Sequence, residues 1–250
     1  MAMTADASDF RAPAKELDTT KLNWGHAWRA LKKLIADKED TRQVFEIMRA
    51  LNGKSIAQGY HKLLETPEGG RIAFERREFS ERLMDDAWLD SLPEGSVGAA
   101  YRTFIRSEEL SAYGLADVSR EGANDVDAPH PYAWFARRTR DVHDIWHILS
   151  GYHRDGLGEA CLVAFSYAQT KGLGWAFIAF GAMTMGKNGA PKHPYNRAIL
   201  QGYRRGKAAK WLLGQDYERL MAEPLEAARV RLGITPPTIY DSIPPEARAA

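Results

Sequence analysis

Between His143 and Glu159 the chain reads HDIWHILSGYHRDGLGE, with two histidines and an aspartate inside five residues and a glutamate after eleven more. On a helix turning about 100° per residue, His143 and His147 lie about 40° apart, and Asp144 lies about 100° from the first and about 60° from the second. All three leave the same side. Two imidazoles one turn apart are how HExxH helices grip a zinc ion, and HDxxH places its imidazoles identically. Aspartate is one methylene shorter than glutamate, so Asp144 could ligate directly where a glutamate would serve as a base. Gly151, Gly156 and Gly158 interrupt the helix, at about 1 kcal/mol for each glycine kept helical, so the chain must turn there. Glu159 then opens an apolar stretch, EACLVAFSYAQ, whose first turn could swing a fourth ligand onto the open side of the pair. The same pattern also suits ordinary polar residues of a half-buried helix, with His143 and His147 held by Asp144 and Arg140.

The elements that must carry this motif are helical. In NWGHAWRALKKLIADK, Trp24, Trp28, Leu31 and Ile35 recur at spacings of three and four, which makes one amphipathic face. Asp40 or Thr41 can cap a helix through RQVFEIMRALNG that stops at Gly53, and Ser55, Ser80 and Ser96 stand where three more would start. PHPYAWFARR reads as a short turn before a helix that begins near Arg140 and carries the motif. Further helices start near Gly158, Gly172 and Pro194, and a last one runs from Pro224 to Gly233. No alternation is sustained over a hairpin. The expected fold is therefore all-α, a single helical domain of about eight to ten helices over residues 21–240. A flexible tail is expected at 1–20 and another at 241–250, with the candidate metal site between two helices joined by a glycine-rich turn.

Composition narrows the function classes. With 44% hydrophobic and 27% charged residues the chain is neither disordered nor polytopic, and a net charge of +1 argues against a nucleic-acid partner bound by global charge. The lone Cys161 excludes an internal disulfide and a cysteine-rich zinc site. The most apolar window, LGWAFIAFGAMTMG, is shorter than the roughly 18–20 residues of a spanning helix. The N-terminus lacks an apolar targeting segment, so the reading is of a bacterial, cytoplasmic protein.

HDxxH followed by eleven residues and Glu resembles the signature of the coenzyme Q (ubiquinone) biosynthesis protein 4 family. The segments RDVHDIWHILSGYHRDGLGEACLVAFSYAQT, GYRRGKAAKWLLGQDYERLMAEPLEAARVRLGI and PPTIYD resemble it in order and spacing, and QVFEIMRALNG fits its early helical region. The resemblance implies a helical fold, a metal held by His143, Asp144, His147 and Glu159, and an apolar pocket for a polyprenyl tail. It also implies removal of the ring carboxyl of a polyprenyl 4-hydroxybenzoate intermediate, either simply or with hydroxylation at the same carbon. Two imidazoles with carboxylates suit Zn²⁺, and two His with one carboxylate and open positions also suit Fe²⁺. Asp144 is then a third ligand or a general base. His153, in the turn, is a proton carrier or a solvated loop residue.

Phe165, Trp175 and Phe180 are candidate pocket residues, and Gly172, Gly174, Ala176, Ala179, Gly181 and Ala182 could leave room for isoprene units between helices. Arg29, Lys32 and Lys33, and later Arg197, Arg204, Arg205, Lys207 and Lys210, could meet anionic headgroups beside apolar faces, giving peripheral contact with a bacterial inner membrane. Other ubiquinone-biosynthesis enzymes and a second copy of the chain are the expected protein partners. Two rivals compete: a noncatalytic lipid-binding scaffold that organises those enzymes, and an HD-type phosphohydrolase. The latter would need His61 or His130 with Asp155 or Asp216 as further ligands.

Overall fold

Helical periodicity becomes helix nearly wherever the computed structural model describes the chain, which is residues 21–37, 40–107, 129–185 and 193–248. The N-terminal segment 1–20 and the last two residues lie outside that description. Among the described residues there is no β-strand, only an isolated bridge between Ser96 and Pro224. The elements are α1 (Trp24–Ala36), α2 (Thr41–Leu51), α3 (Ser55–Leu64), α4 (Pro67–Glu75), α5 (Phe79–Leu83), α6 (Asp86–Ser91), α7 (Val97–Ser107), α8 (Pro131–Asp141), α9 (His143–Ser150), α10 (Gly156–Thr170), α11 (Leu173–Met185), α12 (Tyr195–Ala208), α13 (Tyr217–Ala222), α14 (Leu225–Leu232), α15 (Thr238–Asp241) and α16 (Pro245–Arg248).

Sixteen α-helices among the described residues exceed the eight to ten expected, because α5, α6, α13, α15 and α16 hold only four to six residues each. So few positions cannot display a 3.6-residue period. PHPYAWFARR is a second departure. It is not a turn but most of α8, which His130 caps by accepting from the Tyr132 amide and which Pro131 opens at N1. Only Val142 separates α8 from the motif helix α9.

Helix α10 is apolar on nearly every face because it is buried on nearly every face, from Leu157 to Gln169. It packs against α9, α11 and α12. Gly202 and Gly206 let α12 approach closely, since a Cβ there would lie 2.3 Å from the Cys161 carbonyl oxygen and 2.5 Å from that of Phe165. Helices α1 and α2 pair and cover α11, and Asp241–Arg248 folds back so that Ile243 is fully buried and the Tyr195 hydroxyl donates to the Ala247 carbonyl.

Candidate metal centre

Helix α9 presents His143, Asp144 and His147 on one side, as the spacing predicts, and one donor atom from each lies within 4.8 Å of the others. The two imidazoles meet edge to face at 5.1 Å, and Asp144 Oδ1 is 3.6 Å from His143 Nδ1. Glu159 stands in the first turn of α10 with Oε1 3.3 Å from His147 Nε2. That separation is an ion pair between His147 and Glu159, and Glu159 stands beside the trio, outside the set of donors that all lie within 4.8 Å of one another. His147 is almost fully buried, and its Nδ1 lies 2.9 Å from the Tyr152 carbonyl oxygen. A proton on Nδ1 satisfies that carbonyl and leaves the Nε2 lone pair free for a metal, the outer-shell arrangement typical of ligating histidines.

Charge fits the same chemistry. Burial works against ionisation of Asp144, but hydrogen bonding and charge from His143, then His147 and Arg154, outweigh it and hold the carboxyl below its ordinary value. Glu159 is lowered likewise, with burial outweighed by His147 first and then His143 and Arg154. For His147, burial favours the neutral ring, yet Glu159 and Asp144 together raise its pKa. Two ionised carboxylates facing two imidazoles attract a cation, and these donors fit a divalent metal of the zinc or iron type.

Aromatic rings close the site. Phe104 of α7 stacks on His147 at 5.6 Å, and Trp175 of α11 stacks on His143 at 5.6 Å with planes 10° apart. Trp175 also lines a pocket of about 130 Å³, together with Ile56, Phe135, Ala168, Trp211 and Leu213. That volume is well below the roughly 300–1,000 Å³ of a site enclosing a whole ligand.

Residues 11–238 match the family described as coenzyme Q (ubiquinone) biosynthesis protein Coq4. The chain belongs to this family. It is 32% identical over 178 residues to the mitochondrial ubiquinone biosynthesis protein COQ4 homolog of Rattus norvegicus, covering 70% of this chain and 64% of the relative. The Homo sapiens homolog is 32% identical over 176 residues, covering 70% and 63%. The match thus spans less than two thirds of the length of these curated relatives. A crystal structure from Nostoc punctiforme, described provisionally as a ubiquinone biosynthesis protein, shares the fold. Its TM-score is 0.60 at 23% identity, covering 86% of this chain and 100% of its own.

Within this Coq4-family chain the other candidates fall in different places. His153 is exposed in the turn, where its backbone N–H donates to the Tyr240 hydroxyl at 3.3 Å, apart from the candidate trio. The turn itself is Gly151–Asp155 and holds one glycine. Gly151 adopts φ +76° at the end of α9, whereas Gly156 and Gly158 already belong to α10. Gly158 is needed there because a Cβ would sit 2.0 Å from the His153 carbonyl oxygen. Phe165 is fully buried against Trp146, and Phe180 points outward at 59% exposure, so of the three pocket candidates only Trp175 reaches the trio. The room expected beside Gly174 and Gly181 is filled, since a Cβ at these positions would meet Met48 Sδ at 2.7 Å and Leu31 Cδ1 at 2.9 Å. Arg205 is not a surface cation: it is 5% exposed and bonds backbone carbonyls. His61 pairs with the Tyr132 hydroxyl, His130 caps α8, Asp155 bonds Tyr240 and Asp216 bonds Arg71, so none of the additional phosphohydrolase ligands joins the trio. Phe104 and the Tyr152 carbonyl carried no sequence signal, because they reach the site from another helix and from a backbone atom.

Proposed function

We propose that the chain acts in ubiquinone biosynthesis by removing the ring carboxyl of a polyprenyl 4-hydroxybenzoate intermediate at a divalent ion held by His143, Asp144, His147 and Glu159. Family membership supports the pathway, and the observation that carries the site is the convergence of three donors with His147 Nδ1 turned to the Tyr152 carbonyl. When bound, Zn²⁺ or Fe²⁺ supplies a positive charge that orients the substrate carboxylate and stabilises the phenolate. Asp144 is held ionised, and on leaving the ion its carboxylate would accept the phenol proton. Electron density from the phenolate then reaches the carboxyl-bearing carbon. Protonation there, with loss of carbon dioxide, restores the aromatic ring. Hydroxylation at the same carbon takes one oxygen atom from dioxygen and needs two electrons from an external reductant to carry the other to water. Trp175 and Phe104 cover the histidines and limit water.

The small pocket implies that most of the polyprenyl tail stays outside the protein, in the bilayer. A surface suited to that exists on α1 and α11. Trp24, Trp28 and Phe180 are exposed, Phe177 joins the two tryptophans at 5.8 and 6.2 Å, and Arg29, Lys32 and Lys33 are exposed on α1. Helix α11 has no charged residue, and it carries both Trp175, beside His143, and Phe177 on that surface. No helix of the described residues is long and apolar enough to cross a membrane, and the contact proposed is peripheral.

The test supplies prenylated 4-hydroxybenzoates, with metal, air and a reductant, to the parent chain and to Glu159→Gln, following carbon dioxide and the mass of the ring product. Turnover by the parent with at least a tenfold loss in the variant is expected. A metal-loaded parent that converts none of several ring-modified substrates overturns the catalytic reading in favour of a lipid-binding scaffold.

A further inference from the structure

The last carbonyls of a helix have no partner within it, and in an eight-residue helix they are a large share of the backbone. In α9 they are all taken. The Gly151 amide donates to the His147 carbonyl at 2.8 Å. Arg229 of α14 donates from Nη2 to the Ile148 carbonyl at 2.7 Å and from Nε to that of Leu149 at 3.1 Å. Arg205 of α12 donates from Nη2 to the Ser150 carbonyl at 2.7 Å and from Nε to the Thr235 carbonyl at 2.8 Å. Two guanidinium groups from the C-terminal part of the chain therefore close the end of the motif helix, where positive charge is also favoured by the helix dipole.

The grip continues to the ligands. The Arg205 guanidinium lies 4.8 Å over the Tyr152 ring, whose backbone carbonyl orients His147. Tyr240 meets the Tyr152 ring edge on at 5.3 Å, and its hydroxyl donates to the Asp155 carboxylate. Asp155 in turn accepts from the Gly158 amide at 2.9 Å and caps α10, one residue before Glu159. A connected path thus runs from Arg205 through the turn to both His147 and Glu159, while Arg229 holds the end of the helix that carries His147.

We propose that Arg229 and Arg205 are positioning residues of the divalent site, which set the distance between His147 on α9 and Glu159 on α10. The inference rests on the metal reading above. Helix α9 holds His143 and Asp144 in its first turn and His147 in its last, so loosening its end displaces His147 selectively. A lysine at 229 keeps the charge but cannot serve two carbonyls in the fixed geometry of a guanidinium.

The experiment uses the full chain. Zn²⁺ affinity is measured by competition with a chromophoric chelator, well below the melting temperature of each apo protein, and the visible spectrum of the Co²⁺-loaded protein reports ligand geometry. Arg229→Met is expected to bind Zn²⁺ about 10- to 100-fold more weakly, the usual loss for an outer-shell partner, with altered Co²⁺ bands. Arg229→Lys and Arg205→Lys should fall between it and the parent. Glu226→Gln is the control, because Glu226 pairs with Arg229 at 2.6 Å but touches no carbonyl of α9, and it should bind as the parent does. If Arg229→Met does not fold, the two lysine variants decide. A Zn²⁺ dissociation constant within twofold of the parent's and an unchanged Co²⁺ spectrum, even with a lowered melting temperature, overturn the positioning role and leave the metal site standing. A parent chain that takes up no divalent ion overturns both.

Discussion

The two faces of helix α9 are built differently. Behind it, bonding is directional: Arg229 and Arg205 close its carbonyl end, and Trp146 Nε1 donates to the buried Tyr217 hydroxyl at 2.6 Å. Ile145 and Leu149 on that side are wholly buried. In front, His143 and His147 are covered by the stacked rings of Trp175 and Phe104, which touch without a directed bond, and Trp175 borders open space. Directional bonds fix angle and register, whereas ring stacking tolerates sliding. The proposed site, with a metal held on one side and a ligand admitted on the other, needs both kinds of wall.

The back wall should therefore carry stability. Trp146→Ala removes one of the largest fully buried side chains and leaves the Tyr217 hydroxyl without its partner. The expected cost is about 3–5 kcal/mol, with a metal affinity that collapses along with the fold. Urea unfolding of the apo protein measures it, and a loss under about 1 kcal/mol would erase the distinction between the faces.

The front wall should yield more gently. Trp175 is half-buried and hydrogen-bonds no ligand, so Trp175→Ala is expected to cost about 1–2 kcal/mol. Zinc affinity measured by calorimetry should move less than about threefold, in contrast to the 10- to 100-fold usual for outer-shell partners. A tenfold weakening would show that stacking on His143 holds the ligand as firmly as the arginine caps hold the helix end.

How much of this was legible in the sequence follows from the range of each interaction. The trio of His143, Asp144 and His147 was legible because helix geometry alone converts spacings of one and four into a shared face. Glu159 was legible as a nearby donor because a short turn leaves few places for the next helix to start. The caps on α9 were not, since Arg205 and Arg229 act 55 to 81 residues from the carbonyls they bind. Arg205 reads in sequence as one member of a basic run, and only the packing of α12 turns it inward. The small residues of α11 misled for a related reason. Glycine marks close approach but not what approaches, and here Met48 and Leu31 fill the room that a lipid could have taken. Short helices such as α13 and α15 were invisible because their existence is decided by neighbours, not by a period.

The smallest effect expected on the fold lies farthest in front, on the α1 and α11 surface. Phe180 is 59% exposed, so Phe180→Ser should change folding stability by no more than about 0.5 kcal/mol. Its effect should appear only with lipid. A phenylalanine that moves from water into the headgroup boundary contributes about 1 kcal/mol when roughly half its surface is transferred, which corresponds to about a fivefold change in partitioning. Arg29, Lys32 and Lys33 add attraction of about 1 kcal/mol each to an anionic surface, screened by salt. Co-sedimentation with vesicles of phosphatidylcholine, with and without phosphatidylglycerol, separates these contributions. The parent should bind the anionic vesicles more tightly and lose that preference in high salt, and Phe180→Ser should bind both kinds about fivefold more weakly while melting at the parent's temperature. Equal sedimentation of parent and variant would remove Phe180 from the docking surface. A parent that stays in the supernatant with both kinds of vesicle would mean that the exposed rings of α1 and α11 face a protein surface instead, and that the polyprenyl tail must reach the front wall of α9 by another route.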